Sequence, residues 1–216
     1  QDNAAKWTDP AYEPWSEPGS PWWHWFQGMV RHPTIVGAVQ CLLGPNVLIR
    51  NADIFVKPVG STIQIRWHTD TTARDEDADK MLTAWLAISH SRLSNGCMEW
   101  LTGSHRRPLP PEIKDKHSLS FNEESARIAD QAQRSANVLN PGELSLHHFR
   151  TIHRSKHNTE PSPRIGLVIR FMASDTPLEV AETHNGTLVA GNNVPGHFTM
   201  TKEFPVSWNK RSKTPQ

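Results

Sequence analysis

The sequence predicts a mainly β protein with a few helices at its periphery, and three observations carry that prediction. Short segments of strand character recur at 46–59, 63–68, 81–89, 97–101, 143–149 and 165–171, several of them bounded by Gly, Pro or Asn. They do not alternate with helices in the rhythm of a parallel α/β sheet. At 216 residues the chain suits one domain with a substantial core, so a single domain over 1–216 is expected.

Residues 1–27 hold five tryptophans (Trp7, Trp15, Trp22, Trp23, Trp25) interleaved with Pro10, Pro14, Pro18 and Pro21. Prolines so placed predict an ordered arm rather than a helix, its indoles covering a sheet or flapping over a site mouth. Residues 28–43 are apolar and helix-compatible, and Gly44-Pro45 ends them. The strand at 46–59 closes at Pro58 and Gly60. After the extended run 63–68 comes an acidic loop, 71–80, with Asp75, Glu76, Asp77 and Asp79. A buried strand at 81–89, a turn at Asn95-Gly96, a strand at 97–101 and a turn at Gly103-Ser104 follow. The polar stretch 108–134 predicts a short helix at 123–134. Strands at 143–149 and 165–171 flank a turn that carries His153, and 185–189 adds an edge strand.

Composition narrows the function classes. Lys plus Arg number 23 against 22 Asp plus Glu, without the basic excess of a nucleic-acid or membrane-surface protein. No apolar run approaches the roughly 20 residues of a membrane span. Two cysteines, Cys41 and Cys97, make no disulfide framework and suit a reducing cytoplasm. The opening residues show no signal-peptide pattern, although no Met begins the chain. A cytoplasmic enzyme domain acting on a small molecule is the expectation.

The most informative residues are His68 and Asp70, with His153 downstream. Residues two apart on a strand face the same side, so one imidazole and one carboxylate converge. A second imidazole from a distant strand completes a two-histidine, one-carboxylate set, which suits Fe(II) and leaves open positions. H-x-D alone arises by chance; its surroundings give it weight. Trp67-His68-Thr69-Asp70, Asn95-Gly96-Cys97-Met98, Gly103-Ser104-His105-Arg106 and His153-Arg154-Ser155-Lys156-His157-Asn158, then Arg164, occur in order.

With these motifs the stretch 57–171 resembles the phytanoyl-CoA dioxygenase family of non-haem Fe(II)- and 2-oxoglutarate-dependent oxygenases. The resemblance implies a double-stranded β-helix, or jelly roll. It implies His68, Asp70 and His153 as iron ligands, and 2-oxoglutarate and O2 as co-substrates. Arg164 is then the anchor of the distal carboxylate of 2-oxoglutarate, since a guanidinium pairs bidentately and stays charged. Ser155 matches a hydroxyl sharing that carboxylate, Lys57 a lysine that contacts 2-oxoglutarate in some members, and Thr83 a pocket-lining strand position. An intact Asp70 favours oxygenation over halogenation, because halogenating relatives have Gly or Ala there. Thr102 stands where the family usually has Pro, a departure that affects a turn.

His147, His148 and His157 compete as ligands. His147 and His148 point to opposite faces of one strand, and one of them is expected beside the metal or lining the substrate pocket. Trp100 either lines that pocket or packs in the core. Arg66 shares strand parity with His68 and Asp70, and Arg170 with Arg164; an inward guanidinium wants an anion, either Glu99, Glu143 or a substrate group. The reaction expected is hydroxylation of a C–H bond in a small polar substrate, such as an amino acid or phosphonate, with release of succinate and CO2. The alternative is a metal-containing β-barrel that binds without turnover.

Overall fold

The computed structural model describes residues 18–71, 78–106, 133–176, 185–194 and 198–201. Among these residues two α-helices, α1 (Pro21–Val30) and α2 (Pro33–Leu43), precede ten strands. These are β1 (Val47–Lys57), β2 (Ile65–His68), β3 (Met81–Ala87), β4 (Met98–Leu101), β5 (Arg134–Ala136), β6 (Leu144–His148), β7 (His153–Ser155), β8 (Arg164–Ala173), β9 (Asn185–Ala190) and β10 (Thr199–Met200). They form a six-stranded sheet, β10-β9-β1-β8-β3-β6, and a four-stranded sheet, β2-β7-β4-β5. This is the mainly β jelly roll that the sequence predicts.

Period-two alternation builds the layers. On β3, Leu82, Ala84 and Leu86 face the helices, as do Leu167, Ile169 and Phe171 on β8. They pack with Phe26 and Val30 of α1 and Ile35 and Val39 of α2. The opposite residues, Trp85, Ala87 and Val168, meet Met98 and the partly buried Phe55 and Trp100 between the sheets. Since β1 pairs Lys57 with Arg164, Phe55 with Gly166 and Asn51 with Arg170, these residues share that interior face. A register shift between Ile49 and Asn51 keeps Ile49 and Ala52 on the helix side.

Several elements differ from expectation. The helix expected at 28–43 is two helices, broken at Arg31-His32, where His32 caps α2 by accepting the Thr34 N–H on Nδ1 (3.3 Å). Pro21 opens α1 instead of excluding it. A proline at the first helical position removes an N–H that lacks a partner anyway, and the Ser20 hydroxyl accepts the Trp23 N–H at 3.0 Å. The arm expected over 1–27 therefore gives way to helix from Pro21; Trp23 is buried while Trp22 and Trp25 are exposed. Trp7 and Trp15 lie outside the described residues, as do most of the helix expected at 123–134 and positions 72–77 of the acidic loop. Arg134, the last residue of that expected helix, begins β5. His153 sits not in a turn but on β7, paired with both β2 and β4. β9 is not the edge, because β10 pairs beside it.

Candidate metal centre

His68 ends β2, Asp70 follows two residues on, and His153 begins β7 directly across from His68. Their ligand atoms all lie within 4.8 Å of one another, and no other such cluster occurs among the described residues. The Asp70 N–H donates to the Phe149 carbonyl at 3.1 Å, which ties this position to the end of β6. The imidazoles of His68 and His153 stand 4.1 Å apart, centroid to centroid. Each has its Nδ1 against a backbone carbonyl two residues back: Arg66 at 2.8 Å for His68, Thr151 at 2.9 Å for His153. A ring whose Nδ1 donates keeps the lone pair on Nε2, the form that binds metal.

Protonation agrees with that role. Burial pushes both imidazoles below their usual range, His153 furthest, so they are neutral near pH 7. Burial alone would raise the Asp70 pKa. The Arg170 guanidinium, the His147 hydrogen bond and the neighbouring histidines outweigh it and hold the carboxyl well below the carboxylate range. Two neutral imidazoles and one carboxylate fit a divalent first-row metal.

Side chains hold both carboxylate oxygens of Asp70. Arg170 donates to Oδ1 from Nε (3.2 Å) and a terminal nitrogen (2.8 Å). Thr83 donates its hydroxyl to Oδ2 at 2.7 Å, and His147 Nε2 lies 3.2 Å from the same oxygen. The anion that meets the inward Arg170 is therefore neither Glu99 nor Glu143 but the candidate metal ligand. Glu99 pairs with Arg154 at 2.9 Å, and Glu143 bonds Asn140 near the surface. Thr83, expected on the pocket wall, sits at Asp70. His147 faces this centre, its ring 5.0 Å from that of His153, whereas His148 turns outward to Asp79 and His105. His157 is exposed and outside the cluster.

A second group gathers where β1 and β8 begin their pairing. Lys57 and Arg164 stand directly opposite each other and are each about 1% exposed. Lys57 Nζ donates to the Ser155 hydroxyl (2.9 Å) and the Lys156 carbonyl. Arg164 donates to the Gly96 carbonyl and lies 5.2 Å from the Phe55 ring and 5.4 Å from the Trp85 ring, while its Nε is buried without a partner. Burial, with Arg164 adding to it, lowers the Lys57 ammonium to about 8, and burial lowers Arg164 to about 10. No carboxylate of the described residues pairs with either. Two like charges opposed in a buried interior call for an anion that the described residues do not supply.

Ser155 connects the two groups, being two residues, roughly 7 Å, along β7 from His153. A short dicarboxylate has a cationic end to bind at Lys57, Arg164 and Ser155 and a metal end at His153. Trp100 lies directly opposite His153, its ring 5.9 Å from His147 and its indole N–H buried and unpaired. Arg66 is exposed; a register shift between Ile65 and His68 breaks the parity that would have turned it into the barrel.

Sequence reasoning treated Gly96 as a turn residue. It is one, at φ 73°, but its carbonyl also holds Arg164, and its lack of a side chain admits the Lys156 carbonyl. The placements of Asn51 opposite Arg170, and of Cys97 beside Lys57 and Arg164, are not expected from the sequence. Only cross-strand register exposes them, and register is weakly marked in a single sequence.

The phytanoyl-CoA dioxygenase family model matches residues 24–166. A probable alpha-ketoglutarate-dependent hypophosphite dioxygenase of Stutzerimonas stutzeri is 29% identical over 155 residues, covering 68% of this chain and 52% of that protein. Peroxisomal phytanoyl-CoA dioxygenase of Homo sapiens is 27% identical over 150 residues, covering 66% and 44%. The chain thus spans about half the length of these relatives. A solved non-heme monooxygenase, the ThoJ–nickel complex, superposes with TM-score 0.67 at 24% identity over 85% of this chain and 66% of that one, a likeness of fold. No described helix is long and apolar enough to cross a membrane.

Proposed function

The chain belongs to the phytanoyl-CoA dioxygenase family, and from that premise we propose that it is an Fe(II)- and 2-oxoglutarate-dependent oxygenase hydroxylating a small polar substrate. The observation that carries the reading is the pair of buried cations, Lys57 and Arg164, without a protein carboxylate, beside a His–Asp–His cluster. A merely structural metal would give Lys57 and Arg164 no purpose, which disfavours a binding module without turnover.

In this reading His68, Asp70 and His153 hold the iron, and Arg164, Lys57 and Ser155 hold the far carboxylate of 2-oxoglutarate. When bound, iron and 2-oxoglutarate supply oxidative decarboxylation with O2, yielding succinate, CO2 and an oxygen atom for the substrate. The chain's own part is positioning. Thr83, His147 and Arg170 fix the orientation of Asp70 and keep it ionised. Phe55 and Trp85 wall Arg164 from water, which strengthens its pairing with a carboxylate.

A small polar substrate is favoured by Arg170, whose side chain is 27% exposed on the interior face. The Stutzerimonas relative, named for a small phosphorus oxyanion, points the same way. Trp100 contributes a free indole N–H to the same interior. Arg66, exposed beyond the bulge, has no part in this reading. The test is succinate release from 2-oxoglutarate with Fe(II) and ascorbate, screened over amino acids, betaines, aminophosphonates, hypophosphite and acyl-CoA thioesters. Turnover with a small polar compound is expected. Turnover confined to thioesters overturns the substrate class, and no succinate with any compound overturns the oxygenase.

A further inference from the structure

One transverse row of the main sheet is polar on its interior face. Asn51 on β1 stands opposite Arg170 on β8, Arg170 opposite Thr83 on β3, and Thr83 opposite His147 on β6. On one side the next row is apolar, with Leu48, Met172 and Met81; on the other, Val168 and Trp85 stand between Asp53 and Ser145. Thr83, His147 and Arg170 are each tied to Asp70, though the His147 Nδ1 is itself buried without a partner. Asn51 is not. It is 7% exposed, and its Oδ1 is buried with no hydrogen-bond partner.

Arg170 is only half used. Nε and one terminal nitrogen serve Asp70 Oδ1, and its remaining N–H groups have no acceptor among the described residues. A guanidinium presents two donor edges, so the second edge is available to another anion. Arg170 lies six residues along β8 from Arg164, roughly 20 Å of strand, so this edge is separate from the cationic end proposed for 2-oxoglutarate. Side chains directly opposed on neighbouring strands stand about 5 Å apart at Cβ, so one small head group reaches both Asn51 and Arg170.

We infer that Asn51 and the open edge of Arg170 are the docking pair for the substrate's head group. That head group is an anion bearing a hydrogen-bond donor on the adjacent carbon, as in a 2-amino or 2-hydroxy acid or the corresponding phosphonate. Arg170 takes the anion, and Asn51 Oδ1 accepts the N–H or O–H. Asn51 is thereby a specificity-determining residue, because a buried acceptor left unpaired penalises every ligand without the donor. The inference rests on the oxygenase reading and deepens it.

The test is anaerobic calorimetric titration of the protein loaded with Fe(II) and 2-oxoglutarate, using four probes. L-Alanine and L-lactate carry anion and donor, propionate the anion alone, and L-alaninamide the donor without the anion. Wild type is expected to bind alanine and lactate at least tenfold more tightly than propionate or alaninamide. Asn51→Leu should bring alanine within about twofold of propionate. Asn51→Asp, nearly isosteric and so the safer variant for folding, places a carboxylate against Arg170 and should abolish the binding of all three anionic probes. A wild type without preference would mark the gap as an ordinary water site and overturn the inference. A preference that survives Asn51→Leu, or anion binding that survives Asn51→Asp, overturns it too, as does an Asn51→Leu protein that loses iron and 2-oxoglutarate together with the probes. Failure of wild type to take up iron and 2-oxoglutarate at all is a different result, and sinks the oxygenase reading itself.

Discussion

Asp70 is at once the candidate iron ligand and the counter-ion of Arg170, so its two roles separate by substitution. Asp70→Asn keeps the shape but removes the charge and turns one acceptor oxygen into an NH2 donor; iron affinity should fall at least tenfold. Asp70→Ala should in addition lose stability, on the order of 2–3 kcal/mol, because it strands Arg170, Thr83 and His147 together. Metal titration and urea unfolding read the two effects independently, and near wild-type iron binding in Asp70→Asn would remove Asp70 from the ligand set. Arg164 acts at the other end. Arg164→Ala removes a charge-assisted, water-shielded contact of about 2–4 kcal/mol, so the KM for 2-oxoglutarate should rise at least about thirtyfold with iron content unchanged. An unaltered KM would transfer the anchor to Lys57. Strand parity made the convergence of His68 and Asp70 legible in the sequence, whereas His153 and Arg164 stood out through the family resemblance. His147 was half legible: its strand parity set it apart from His148. Its contact with Asp70 depends on the β3–β6 register, in which Thr83 meets His147, and nothing local in the sequence encodes that.

β8 shows how one element serves core and site together. Its outward residues Leu167, Ile169 and Phe171 build the helix-side core, while Arg164, Gly166 and Arg170 serve the interior. Gly166 matters by what it lacks, since a Cβ there would overlap the Trp85 indole, one of the two rings flanking Arg164. Gly166→Ala should therefore cost about 1–3 kcal/mol by overpacking and raise the KM for 2-oxoglutarate by displacing Trp85. Thermal unfolding and succinate kinetics measure both; a stability loss with an unchanged KM would mean that Trp85 packs without shaping the anion site. Alternation of apolar residues made β8 and β3 readable from the sequence. The errors fell where a short segment is stabilised by its neighbours. β7 is three residues held by β2 on one side and β4 on the other, and β5 is three exposed residues paired to β4. Such strands have no pattern of their own. The Pro21 helix start and the Pro33 restart were misread for a related reason: proline breaks a helix internally but opens one at its first turn.

At the scale of the molecule, the cost of the site should appear in the stability of the protein without its co-substrate. Lys57 and Arg164 are buried cations with hydrogen bonds but no counter-ion among the described residues. Lys57 has a folded pKa of about 8 against 10.5 when unfolded. Between those values the unfolded chain binds the extra proton, so Lys57 makes stability rise with pH across that window and contributes no slope below it; above pH 9 the Cys97 thiol, pushed by burial from 9.0 up to about 11, opposes it. The slope approaches one proton's worth, about 1.4 kcal/mol per pH unit. Lys57→Met should abolish it and leave the co-substrate-free protein more stable than wild type at pH 7, while weakening 2-oxoglutarate binding. Function and stability are set against each other at this residue. Adding 2-oxoglutarate with a redox-inert divalent metal neutralises the pair from outside. At a hundred times Kd, the linkage is about 2.7 kcal/mol, which for a chain of this length is a Tm increase of roughly 5–10 °C. The increase should shrink in Lys57→Met and nearly vanish in Arg164→Ala. Urea unfolding of wild type and Lys57→Met at pH 7, 8, 9 and 10, together with thermal unfolding with and without 2-oxoglutarate, measures the whole pattern. A wild-type Tm indifferent to 2-oxoglutarate, or a Lys57→Met protein less stable than wild type at pH 7, would mean that the two cations are balanced within the chain and no external dicarboxylate is required to account for them.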